Sequence, residues 1–236
     1  MNVTLFFLTA VGAVIAWWMA GQRLTSKPWL EASPAQTTIA GREDPPAPAV
    51  KIGLYVFLGV VGALFSLSIS AYFMRMESAD WWGMPLPRLL WVNTALLASD
   101  SVALQWAKRE VRHGRMEALR LALVAGFILG ALFLAGQIEA WRQLSAAGYL
   151  LTDNPANSFF YMLTGLHGLH ILGGLVVVGR TTVRAFAADA PSARLRLSAG
   201  LCTVYFHFML AVWLILFALF AGWANDFVDL CRQLLS

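Results

Sequence analysis

Residues 154–179 read NPANSFFYMLTGLHGLHILGGLVVVG, 26 residues without one formal charge. As a helix at 1.5 Å per residue this run is about 39 Å long, enough to cross a hydrocarbon layer of about 30 Å. Similar charge-free runs occupy 1–22, 52–74, 121–138 and 197–225, and a sixth, 89–107, is interrupted only by Asp100. Six spanning helices are therefore expected, and strand-like alternation is absent.

Composition agrees. The chain has 236 residues, 59% of them apolar and only 13% charged, with a mean hydropathy of +0.65. A soluble domain carries about 25% charged residues and could not hide so much apolar surface, so a soluble enzyme is excluded. The first run lacks a positive leading region and ends in Trp17 and Trp18 rather than in a cleavage motif, which reads as a retained helix rather than a signal peptide.

The net charge of +4 could suggest an acidic partner, but its placement argues for topology. With six crossings, the first, third and fifth connections share one side and hold 13 of the 17 Lys and Arg residues, against 4 on the other. Under the positive-inside rule the 13 are cytoplasmic and both termini are periplasmic. Nucleic-acid binding has no feature in its favour. Five prolines fall between residues 28 and 48, so 23–50 reads as an irregular cytoplasmic linker, and no proline is expected inside a helix. The expected organisation is a helix at 1–22, that linker, a five-helix membrane domain at 51–225 and a short periplasmic tail at 226–236. Tryptophans gather near span ends, except Trp213, which lies deep in the last span. Gly126 and Gly130, and five glycines between 165 and 179, point to close helix packing, with the fifth span the most enclosed. Cys202 and Cys231 form no ligand-spacing motif and read as an apolar filler and a lone thiol.

Polar residues inside a membrane each need a reason. Asp100 is expected to be neutral or hydrogen-bonded against another helix, with proton handling as the alternative; Asn93 and Thr94 add to the polar character of its span. Thr164 and the pair His167 and His170 lie in the fifth span, and His207 in the sixth. Three such histidines could hold one b-type haem, but their glycine-rich setting suits buried histidines hydrogen-bonded across helices. Gln137 and Glu139 stand at the outer end of the fourth span, where Glu139 reads as a hydrated cap able to pair with Arg142.

Asn157 to His170 closely resembles the signature helix of subunit III of the haem-copper respiratory oxidases, and QIEAW, with Gln137, Glu139 and Trp141, resembles the element just upstream. The likeness continues through PLPRLLWVNTALL at 85–97 and YFHFMLAVWL at 205–214, and covers about residues 51–220. It implies an all-α integral membrane protein: a five-helix bundle of that family plus an extra N-terminal helix. It also implies an accessory, non-redox subunit of a cytochrome c oxidase that supports the catalytic subunit, binds lipid and sustains proton uptake. No catalytic, cofactor-binding or metal-ligating residue is then expected in this chain. Haem and copper would belong to partner subunits I and II, bound phospholipid to this one, and the location would be a bacterial inner membrane. His167, His170, His207, Glu139, Gln137, Asp100, Trp213, Asn93 and Thr164 would be structural or lipid-facing. Two family features are missing: an acidic position in the first family helix is Val61 here, and one after the His-Phe of the last helix is Leu210. A quinol oxidase or nitric oxide reductase accessory subunit, or a membrane haem b electron-transfer protein, is the alternative.

Overall fold

The computed structural model describes residues 47–76, 80–82 and 85–222. They form five helices: α1 (Ala47–Met76), α2 (Leu89–His113), α3 (Met116–Ala146), α4 (Pro155–Phe186) and α5 (Ala193–Phe220). The expected N-terminal helix at 1–22, most of the linker, and the tail at 226–236 with Cys231 lie outside the described residues.

Each helix overruns its charge-free run at one end at least, because basic side chains at the ends of a membrane helix reach back to the interface along their aliphatic stems. Thus α2 continues through Lys108 and Arg112 to His113 and stops at Gly114, whose φ of +76° is the left-handed conformation that glycine adopts without a Cβ penalty. At α4, Asn154 accepts from the Ala156 amide at 3.0 Å and Pro155 fills the first helical position. Ser192 caps α5 through the Leu195 amide at 3.1 Å. The helix α1 begins at Ala47, so the linker ends earlier than expected and Pro48 lies inside a helix; it is tolerated in the first turn, where its missing N–H has no partner to lose.

Contacts run α2 to α3, α3 to α4, α4 to α5 and α5 back to α2, which closes a ring of four; α1 stands outside it and, among the described helices, packs only on α4 and α5. The ring encloses Leu97, Leu123, Phe133, Phe160, Phe206 and Trp213. A second cluster, with Val61, Phe65, Leu163 and Leu216, seats α1 on α4 and α5. Val61, where the resemblance led an acid to be expected, is thus in apolar packing.

Helices α1, α3, α4 and α5 are long and apolar enough to cross a membrane. The lower hydropathy of α2 comes from polar residues turned inward, since Asn93, Asp100 and Ser101 are all buried. The protein is a multi-pass membrane protein. Contrary to expectation, α5 is more enclosed than α4: 50% of its most apolar window is buried against 44%.

One end of the ring is basic. Arg120 at the start of α3 donates to the carbonyls of Ala185 and Ala188 at 3.1 and 3.0 Å, tying α3 to the end of α4. At that same end Arg115 forks onto the buried Glu110, with Nη2 to Oε1 at 2.7 Å, while Trp106 Nε1 donates to Oε1 at 3.1 Å. The hydrogen bonds from Arg115 hold the Glu110 carboxyl below its usual range.

Candidate functional site

The chemistry-bearing side chains concentrate inside the ring and at its seams. Glycines on α3 let α2 bring its polar residues close: a Cβ on Gly136 would lie 2.1 Å from Asn93 Oδ1, and one on Gly126 would lie 3.3 Å from Asp100 Oδ1 and 2.9 Å from Leu104. Asn93 is fully buried, and its Nδ2 donates to Gln137 Oε1 at 3.4 Å. Asp100 is 0% exposed and faces Gly126 and Gly130 on α3, as expected of a residue turned to another helix, but neither carboxyl oxygen has a hydrogen-bond partner among the described residues. An unpaired charge there would carry the full cost of desolvation, so the arrangement suits the protonated acid.

Trp213 is the hub of the interior. It is 1% exposed, packs edge-on to Phe133 with centroids 5.0 Å apart, and donates from Nε1 to Thr94 Oγ1 at 2.9 Å. His167 lies beside it, with centroids 5.2 Å apart, and donates from Nε2 to the Met209 carbonyl at 3.1 Å, joining α4 to α5. One turn toward the start of α4, Thr164 accepts from Trp141 Nε1 at 3.0 Å and donates to the Phe160 carbonyl.

The three histidines do not form one buried set, which corrects the expectation. Only His167 is enclosed. His207 is exposed at the α2–α5 seam, where Nδ1 sits 2.8 Å from the Thr203 carbonyl and 3.1 Å from Ser101 Oγ. His170 is half-buried toward α1 and donates back to the Leu166 carbonyl at 2.8 Å, within its own helix rather than across helices. Positions 167 and 170 are about 60° apart around α4, enough to turn His170 from the ring interior toward α1, and His207 projects from α5 to the side of α2. Among the described residues no group of three His, Cys, Asp or Glu could hold a metal ion.

Glu139 is exposed and accepts from Gln143 Nε2 at 3.3 Å, one turn on; this i, i+4 contact takes the place of the expected pairing with Arg142. The partners Ser101, Thr203 and Tyr205 were missed from sequence. Thr203 donates to the Leu104 carbonyl across the α2–α5 seam, and Tyr205 OH donates to the His170 carbonyl at 2.6 Å. A signal was available for Tyr205, since the paired small residues Gly173 and Gly174 make room for a large ring on a neighbouring helix.

Between α1 and the α4–α5 pair lies a half-open groove of about 550 Å³, lined by Leu54, Phe57, His170, Gly173, Val177 and Tyr205 among others.

The family model described as Cytochrome c oxidase subunit III matches residues 49–225. Among curated proteins, the chain is similar to the cytochrome c oxidase subunit 3 of Thermostichus vulcanus, 27% identical over 172 residues that cover 71% of this chain and 84% of that one. The cytochrome c oxidase subunit 3 of a Synechocystis species is 30% identical, with 71% and 72% covered. A probable cytochrome c oxidase subunit 3 of Nocardia farcinica is 29% identical over 178 residues, with 72% and 85% covered.

Proposed function

The chain belongs to the cytochrome c oxidase subunit III family, and from that premise we propose that it is an accessory, non-redox subunit of a haem-copper oxidase of the bacterial inner membrane. The observation that carries this reading is how the buried polar side chains are spent: Trp213 on Thr94, His167 on Met209, Thr164 on Trp141, Asn93 on Gln137. Groups used to lock helices to one another stabilise a scaffold, and haem and copper on this reading belong to the catalytic subunit I and to subunit II.

The outer faces suit burial by lipid and partner chains. Ile52, Val56, Val60, Leu64 and Leu67 form an exposed stripe down α1, repeating every three or four residues. In a membrane such a stripe meets acyl chains or an apolar partner at no cost. On this reading the basic end of the ring is the cytoplasmic one. By packing beside the catalytic subunit and holding lipid around it, the chain sustains proton uptake without itself exchanging electrons.

Purification of the full chain from its native membrane tests this. The expected result is co-elution with a large multi-haem subunit, and no Soret absorption once the chain is separated. A Soret band stoichiometric with the isolated chain, lost on replacing His167 or His207, would refute it.

A further inference from the structure

The groove between α1 and the α4–α5 pair contains one feature that acyl chains do not explain. His170 Nδ1 lies 2.8 Å from the Leu166 carbonyl. A carbonyl only accepts, so Nδ1 carries the proton, and in the uncharged ring Nε2 is left as an acceptor. It has no hydrogen-bond partner among the described residues. His170 is the sixteenth residue of the 32-residue α4, about 22 Å from one helix end and 24 Å from the other. That is near the middle of the hydrocarbon layer, roughly 15 Å from any headgroup. An acceptor left bare at that depth is costly.

The groove has the size of a small-molecule site. Its walls are aromatic at Phe57 and Tyr205 and aliphatic at Leu54 and Val177. Its floor is open at Gly173, where a Cβ would meet no heavy atom within 4 Å. Tyr205 does not compete for His170 Nε2, because its hydroxyl is spent on the His170 carbonyl at 2.6 Å. A matching occupant resides within the hydrocarbon, has a flat ring for the aromatic walls, offers one hydroxyl at mid-depth, and trails an apolar tail through the open side. An acyl chain lacks the donor, a phospholipid headgroup offers donors only at the interface, and a water needs more than one polar partner.

We propose that this groove binds an isoprenoid hydroquinone, with one phenolic hydroxyl donating to Nε2 of His170 and the ring against Phe57 and Tyr205. The proposal rests on the membrane placement of the helices and not on assembly with a catalytic subunit, so either reading can fail without the other.

The test uses the full chain in nanodiscs of phosphatidylglycerol and phosphatidylethanolamine, with ¹⁵N-labelled histidine. It is titrated with 2-decylhydroquinone and, separately, with the 1,4-dimethyl ether of that compound, while the His170 Nε2 resonance is followed. Saturable binding of the hydroquinone is expected, with the ether about tenfold weaker, as the loss of one hydrogen bond implies. Gly173→Leu, which fills the floor, abolishes binding, and His170→Phe lowers hydroquinone affinity to that of the ether. Equal affinities for hydroquinone and ether on the unaltered chain would mean an apolar slot for acyl chains and would overturn the proposal. So would the absence of saturable binding, or full affinity in a folded Gly173→Leu chain.

Discussion

Gly173 and Gly174 are neighbours on α4, yet alanine should have opposite effects at the two. At Gly173 a Cβ meets nothing within 4 Å; at Gly174 it would lie 2.4 Å from Tyr205 Cε1 and 2.9 Å from Phe206 Cε2. Neither ring yields easily. Phe206 is fully buried, and Tyr205 is tethered through its hydroxyl to the His170 carbonyl. Overpacking of this kind costs about 1–3 kcal/mol, and swinging Tyr205 aside forfeits a hydrogen bond of about 1 kcal/mol. Alanine in place of glycine returns about 1 kcal/mol of helix propensity. The expected net effect is a loss of about 1–3 kcal/mol for Gly174→Ala and a gain of up to about 1 kcal/mol for Gly173→Ala. Unfolding by sodium dodecyl sulfate in mixed micelles, followed by tryptophan fluorescence, measures both. Two variants of equal stability would mean that α4 and α5 do not approach through Gly174.

Three further outcomes follow from the interior and the basic end. In a double-mutant cycle, Trp213→Phe and Thr94→Ala should show a coupling of about 0.5–1.5 kcal/mol, the worth of one hydrogen bond; independent effects would contradict the contact. Asp100→Ala removes a carboxyl with no hydrogen bond to lose, so stability should change by less than about 1 kcal/mol, and proton pumping by the assembled oxidase should persist. Unchanged complex yield with a large loss of pumping would instead make Asp100 a proton carrier. Glu110 is held below its ordinary value of 4.5, so its pairing with Arg115 contributes stability above that pH and loses it as pH falls through the lower folded value. Acid titration of thermal stability should show this decline, and Glu110→Gln should flatten it; a curve unaltered by the substitution would refute the assignment.

Helices were legible in the sequence because hydrocarbon imposes a minimum length, and runs such as 154–179 meet it. Their ends were less legible, since Lys108 and Arg112 read as loop while their stems let α2 continue through them. The facing of side chains was hardest to read. His167, His170 and His207 look alike in a linear sequence, but which one is enclosed depends on the ring closed by α5, a contact between residues about a hundred positions apart. Trp213 was singled out by depth alone, and its bond to Thr94 had no local signal. Gly136 escaped notice because its partner, Asn93, is on another helix.

The position of α1 outside the ring has a consequence for biosynthesis. It is the first described helix to leave the ribosome, yet its only neighbours among the described helices are α4 and α5, and the end of α5 is about 140 residues behind it. At ordinary translation speeds α1 waits roughly 10–30 s in the bilayer before its seat exists. Through that interval the face carrying Val61 and Phe65, and the unformed groove, are open to whatever the membrane offers, so the arrival of α5 is the event that commits these five helices to their fold.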